Sequence, residues 1–252
     1  TNAREGFYEI GITNSFGCIL KDTIYLLVNP LPNPIATATP NPICQGGSLQ
    51  LGVNGGNNFG FAWSGPNGYT SNVKNPVING ILPSASGVYT VTVTNLNGCS
   101  DTSSVSVLVN PTPTAVATPA SQTICSAASI STIVLSGAVS GTTYAWTRDN
   151  AVAVTGIAAS GSGNISGSLT NTTNAPVTVT FTIIPTANSC PGAAITATVL
   201  VNPTPNAVAT PATQTICSAA SISTIVLSGA VSGTTYAWTR DNAVAVTGIA
   251  AS

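Results

Sequence analysis

The 252-residue chain carries five basic and six acidic side chains, a net charge of −1, and neither histidine nor methionine. So few Lys and Arg cannot neutralise phosphates, which excludes nucleic acid as a partner, and no run of about 18 apolar residues offers a membrane span. A hydrophobic content of 43%, rich in Val and Ile, sets the chain apart from disordered sequences and reads as a soluble β-rich protein.

The chain opens at Thr1 without a Met, a basic n-region or an apolar signal segment, and reads as a window on something longer. Its first elements are two strands. Gly6-Phe7-Tyr8-Glu9-Ile10-Gly11-Ile12-Thr13-Asn14-Ser15-Phe16-Gly17-Cys18 aligns with Gly87–Cys99 at an offset of 87 − 6 = 81. Residues 1–30 are therefore expected to be the last two strands of a preceding domain. The phrase Val28-Asn29-Pro30-Leu31-Pro32 follows, and it recurs as Val109-Asn110-Pro111-Thr112-Pro113 and Val201-Asn202-Pro203-Thr204-Pro205. Proline fixes φ and lacks an N–H, so each phrase ends a strand and stiffens the connection after it.

Between the phrases the pattern alternates with period two, bounded by Gly, Asn and Pro. Predicted strands include Ser48–Val53, Val88–Thr94 and Ser104–Val109, then Val177–Ile183 and Ala194–Val201. About seven short strands per 80–90 residues, with no helical period, predict an all-β chain of tandem antiparallel β-sandwich domains in an elongated array. Residues 31–111 and 112–203 are the two complete domains. Residues 204–252 repeat 112–160 with two differences, Thr114 to Asn206 and Ser121 to Thr213, and so begin a further copy. Internal repetition this close marks recent duplication of one unit. Low surface charge also favours self-association.

The six cysteines sort by the same alignment. Each complete domain has one near its start and one in its last hairpin, which gives the expected bridges Cys44–Cys99 and Cys125–Cys190. Cys18 matches the late position and Cys217 the early one, so their partners are expected outside the window. Paired cysteines point to an oxidising, extracellular or cell-surface setting. Closing loops of this size stabilises by about 4 kcal/mol in the chain-entropy model. Free buried thiols are the alternative. Metal ligation has less to stand on, since CxxC and histidine are lacking.

The phrases ICQGGSLQL (43–51), FAWSGPNGYTS (61–71), SGVYTVTVTNLNGCS (86–100) and VSVLVNPTP (105–113) resemble the Ig-like and PKD-like repeats of giant surface proteins of Bacteroidota. TICSAAS (123–129), TTYAWTRDN (142–150) and CPGAAITATVLVNPTP (190–205) are similar to the PKD-like subtype. The resemblance implies adhesins and filament proteins exported by the type IX route. It also implies a possible O-glycosylation sequon at Asp22-Thr23-Ile24, with Thr23 the acceptor. A Trp on the third strand belongs to a sandwich core; Trp63 and Trp146 fit that place, stacking on sugar being the alternative. Tyr89 and Tyr8 are placed to form a tyrosine corner, where the second domain has Phe181.

Catalytic chemistry finds few of its components. Without histidine there is no Ser-His-Asp or Cys-His arrangement. The acids Glu5, Glu9, Asp22, Asp101, Asp149 and Asp241 are scattered, which leaves no paired-carboxylate site and no acidic cluster for calcium. No cofactor or metal is expected. The loops 54–58, 65–71 and 160–168 suit tight turns, with glycan recognition the other use. Arg148-Asp149 reads as a solvated turn rather than a recognition pair. Asn164-Ile165-Ser166 and Asn171-Thr172-Thr173 fit the eukaryotic-type sequon. Two functions compete: a non-catalytic stalk of a surface filament or adhesin that self-associates, and a glycan-binding or spacer module of a secreted polysaccharide-degrading enzyme.

Overall fold

The computed structural model of the chain describes residues 4–241, 245, 246 and 248. The chain divides into two compact units, Thr1–Pro111 and Thr112–Ser252. The first unit opens with a hairpin, β1 (Gly6–Thr13) and β2 (Ile19–Leu26), paired antiparallel along its whole length. Its sandwich follows as β3 (Ala36–Thr39), β4 (Ile43–Cys44), β5 (Leu49–Val53), β6 (Gly60–Gly65), β7 (Tyr69–Ser71), β8 (Val77–Ile78), β9 (Gly87–Thr94), β10 (Ser100–Val107) and β11 (Val109–Asn110). One sheet has the order β10-β9-β6-β7 and the other β3-β5-β8, while β4 and β11 pair in parallel.

Period-two alternation decides which side chains meet between the sheets. Along β9 the buried residues are Tyr89, Val91 and Val93; along β5 they are Leu49, Leu51 and Val53. With Ile43, Trp63, Ile81, Val107 and Val109 they form one core cluster. Each such side chain contributes about 1.5–3 kcal/mol by leaving water.

The second unit is built from β12 (Val116–Thr118), β13 (Ser121–Cys125), β14 (Val134–Ser136), β15 (Thr143–Arg148), β16 (Val154–Gly156), β17 (Ser160–Ser162), β18 (Leu169–Asn171), β19 (Val177–Ala187), β20 (Cys190–Pro191) and β21 (Ile195–Asn202). Its main sheet runs β13-β21-β19-β15-β17, with β12-β14 and β16-β18 as two-stranded companions. Val179, Phe181 and Ile183 alternate inward on β19, as Ala197, Val199 and Val201 do on β21. They pack with Trp146, Ile133, Ile165 and Leu169. The chain is thus an all-β protein of antiparallel sandwich type, as the alternation predicts.

Sequence repetition is matched by repeated local structure. Tyr8 donates its hydroxyl to the Arg4 carbonyl at 2.8 Å, and Tyr89 donates to the Ala85 carbonyl at 3.0 Å, each four residues back. Asn14 and Asn95 accept two backbone N–H groups apiece at the following hairpin turn. In the second unit, Gln122 exchanges a pair of hydrogen bonds with Ser131, and Gln214 does the same with Ser223. β22 (Val208–Thr210) and β23 (Val226–Ser228) pair as β12 and β14 do. The stretches 1–3, 242–244, 247 and 249–252 lie outside the described residues.

Candidate functional site

Both tryptophans proposed for the core are in it. Trp63 is 2% exposed and donates its indole N–H to the Lys74 carbonyl at 3.3 Å. Trp146 is 8% exposed, donates to the Gly163 carbonyl at 3.1 Å and stands edge-on to Phe181, ring centroids 5.7 Å apart. A sugar platform needs an open ring face, and neither offers one.

The three candidate loops are held by their own packing. In 65–71, Gly65 lies so close to Tyr89 that a Cβ would fall 2.5 Å from the ring. In 160–168, Gly161 lies against Trp146 in the same way. In 54–58, Lys74 donates its ammonium to the Gly55 carbonyl at 2.6 Å and to Asn57 Oδ1 at 3.2 Å. Beside that loop an open groove of about 520 Å³ is lined by Ile35, Thr37, Gln50, Gly52, Asn54 and Asn75. Its amides are already engaged: Gln50 donates to the Asn75 and Pro76 carbonyls, and Asn75 Oδ1 accepts from the Val53 N–H.

Asp149 is exposed, as a solvated turn requires, whereas Arg148 is half-buried. The Arg148 guanidinium donates to the carbonyls of Ile157, Ala158 and Val154 at 2.8, 3.1 and 2.9 Å. Partial burial lowers its pKa, while the nearby Asp149 charge acts the other way. Asp149 Oδ1 accepts from the Thr180 N–H at 2.7 Å. The two residues fasten 154–158 and β19 to the end of β15. A lone Arg-Asp dipeptide carries no sequence signal for this, because its acceptors are backbone carbonyls.

Thr23 is exposed on β2, its N–H bonded to Asp22 Oδ1 at 2.8 Å. Asn171 is buried, with its amide donating to the Ala175 and Val201 carbonyls, so this sequon holds a structural residue. Asn164 Oδ1 accepts from the Leu135 N–H. Among the described residues no group of three or more His, Cys, Asp or Glu converges on a metal position, and no helix is long and apolar enough to cross a membrane.

The cysteines correct the sequence-based pairing. Cys44 and Cys190 are disulfide-bonded, whereas Cys18, Cys99, Cys125 and Cys217 carry free thiols. Cys44–Cys99 and Cys125–Cys190 are therefore not bridges of this structure. The reason is register. Cys44 stands opposite Asn110 and Cys125 opposite Asn202, at the far end of the strand that leaves the last hairpin. Cys99 stands at the near end, just before β10. Eleven steps of nearly extended chain from 99 to 110 span roughly 36 Å, whereas a disulfide needs Cα atoms within about 7 Å. In the second unit, the seven steps of β21 from Ile195 to Asn202 put about 23 Å between the two ends of that strand in the same way.

Fold and local geometry define an all-β chain of antiparallel sandwich type. Residues 122–205 match the family described as PKD-like domain, which covers a third of the chain. Among solved structures, murine CEACAM1b is similar at 14% identity over 66% of this chain and 100% of that one, with a TM-score of 0.35. Three N-terminal domains of the Hoc outer capsid protein of bacteriophage RB49 are similar at 15% identity over 79% of each chain, TM-score 0.44. The N-terminal four Ig domains of Dscam1 isoform 6.9 are similar at 13% identity over 75% of this chain and 52% of that one, TM-score 0.32. Likeness at this level bears on no ligand or partner. No curated protein sequence matches the chain.

Proposed function

We propose that the chain is a non-catalytic structural segment, the stalk or shaft, of an extracellular bacterial surface filament or adhesin. The observation that carries this reading is the recurrence of one hydrogen-bonded scaffold along the sequence. The Tyr8 and Tyr89 corners repeat at 81 residues, and the Gln122 and Gln214 clasps at 214 − 122 = 92. Stability in such an array is a sum of unit and neighbour terms, and duplication adds length without disturbing a tuned site. Residues 1–30 and 204–252 belong in this reading to flanking repeats, with 31–111 and 112–203 the complete ones. The resemblance to Bacteroidota surface repeats and the disulfide-bonded cysteines both suit an oxidising cell-surface location. Thr23 remains the proposed O-glycan acceptor.

The glycan-binding alternative draws no support from Trp63 and Trp146, both of which are buried. Negative-stain electron microscopy of the full-length protein tests the stalk: thin fibres or strings of beads are expected, and compact globular particles would overturn it.

A further inference from the structure

Four Asn-Gly steps occur in the chain, at 54–55, 67–68, 79–80 and 97–98, and all lie in the first unit. Such a step can cyclise. The backbone nitrogen of the glycine attacks the side-chain carbonyl carbon of the asparagine, and no Cβ on the glycine stands in the way. The reaction needs an asparagine side chain that is not held and a glycine N–H that is not already donated. All four steps share one dipeptide, so the fold decides between them.

Three are held. Asn54 Oδ1 accepts from the Ile35 N–H, and its amide donates to the Asn33 carbonyl at 3.0 Å. The Asn67 amide donates to the Ser84 carbonyl at 3.0 Å. At 97–98 the nucleophile itself is occupied, because the Gly98 N–H donates to the Asn95 carbonyl at 3.0 Å. Asn79-Gly80 differs on both counts. Asn79 is exposed, and among the described residues neither its side chain nor the Gly80 N–H has a hydrogen-bond partner. Gly80 has a φ of 64° and nothing within 4 Å of where a Cβ would stand, so a five-membered ring has room to form.

We propose that Asn79 is a self-modifying site, the first position of this sandwich to convert to aspartate and isoaspartate. The Gly80 nitrogen bonds Cγ of Asn79, the Cγ–Nδ2 bond breaks, and ammonia leaves with the Gly80 amide proton. Water, the co-reactant, then opens the succinimide, giving its hydroxyl to a ring carbonyl carbon and its proton to the ring nitrogen. Opening at Cγ gives aspartate. Opening at the backbone carbonyl gives isoaspartate, with one more methylene in the main chain. Nothing is oxidised or reduced. Either product adds a carboxylate to a chain whose net charge is −1, and on so neutral a surface that charge works against self-association. The isoaspartate also lengthens a short connection that is anchored at both ends. Ile78 pairs with Leu49, while Ile81, 2% exposed, donates to the Gly47 carbonyl at 3.1 Å and accepts from the Gly46 N–H at 2.8 Å. An extra methylene between these anchors pushes against both.

Ageing the 252-residue chain in heavy-oxygen water at mildly alkaline pH, followed by peptide mapping with fragmentation, tests the proposal. The label is expected to enter at 79–80 several-fold faster than at 54–55, 67–68 or 97–98. Another step in the lead, or one common rate, would overturn it. Ageing in urea removes the fold, and the four rates should then draw together; a lead for Asn79 that survives in urea would show that sequence context sets it and would equally sink the assignment. Asn79→Gln should abolish the early acidic form on ion exchange, with circular dichroism checking that the variant is folded. An acidic form that builds up at the parent's rate counts against the site. The stalk reading is judged by particle shape, so either can fail while the other stands.

Discussion

Gly161 lies flat against the indole of Trp146, where an added Cβ would fall 2.3 Å from Cζ2. No rotamer relieves this contact, because a Cβ is fixed by the backbone and the ring is wedged against Phe181. Gly161→Ala is expected to cost about 1–3 kcal/mol, the range for overpacking a core, read as a fall in the urea midpoint of the second unit. Tyr89 is a second such residue. Its hydroxyl bonds the Ala85 carbonyl while the ring lies in the core, so Tyr89→Phe should cost about 1 kcal/mol. Burial first, and Tyr69 second, raise its pKa above the ordinary 10.0. The fold therefore favours the neutral phenol: its contribution is full below pH 10 and is lost as pH climbs from there toward the raised value. Denaturant midpoints at pH 8, 10 and 11 should fall less steeply in Tyr89→Phe than in the parent chain. Equal slopes would show that Tyr89 does not titrate as burial requires.

At the level of elements, the two sandwiches close the same sheet edge by different chemistry. β13 lays five residues in parallel along β21. Its counterpart in the first unit is Pro40-Asn41-Pro42, whose prolines have no N–H to give to a ladder. Asn41 substitutes its side chain, donating to the Ser106 carbonyl at 2.7 Å and accepting from the Leu108 N–H at 3.1 Å. Asn41→Ala should destabilise the first unit by about 1–2 kcal/mol, since both backbone groups lose their partner; thermal melting of the isolated variant against the parent checks it. This asymmetry also shows what was legible. Alternation in Val88–Thr94 and Val177–Ile183 is a local property, so strands and inward faces could be read directly. Trp63 and Trp146 were legible for the same reason. Parallel register between the first and last strands is non-local. Without it Cys44 looks like the mate of Cys99, although the ladder sets it at the opposite end of the strand. The carbonyl targets of Arg148 are equally invisible, because a backbone acceptor leaves no trace in side-chain identity.

The parallel ladders bear on the chain as a load-carrying object. In each sandwich the strand near the start pairs in parallel with the strand near the end. Tension along the polypeptide pulls the first strand toward its N-terminus and the last toward its C-terminus. Two parallel strands are then driven to slide past one another, and every hydrogen bond between them is loaded at once instead of one after another. The strength of this clamp follows its length. Five residue pairs join Ser121–Cys125 to Thr198–Asn202, whereas two join Ile43–Cys44 to Val109–Asn110. Under reducing conditions, which remove any sulfur bridge, single-molecule stretching should unfold the second sandwich at the higher force. Thr123→Pro, which removes an N–H from the middle of the longer clamp, should bring its unfolding force down toward that of the first sandwich. A stretching record in which Thr123→Pro leaves the higher peak untouched would show that the load is borne elsewhere, and the stalk reading would lose its mechanical basis.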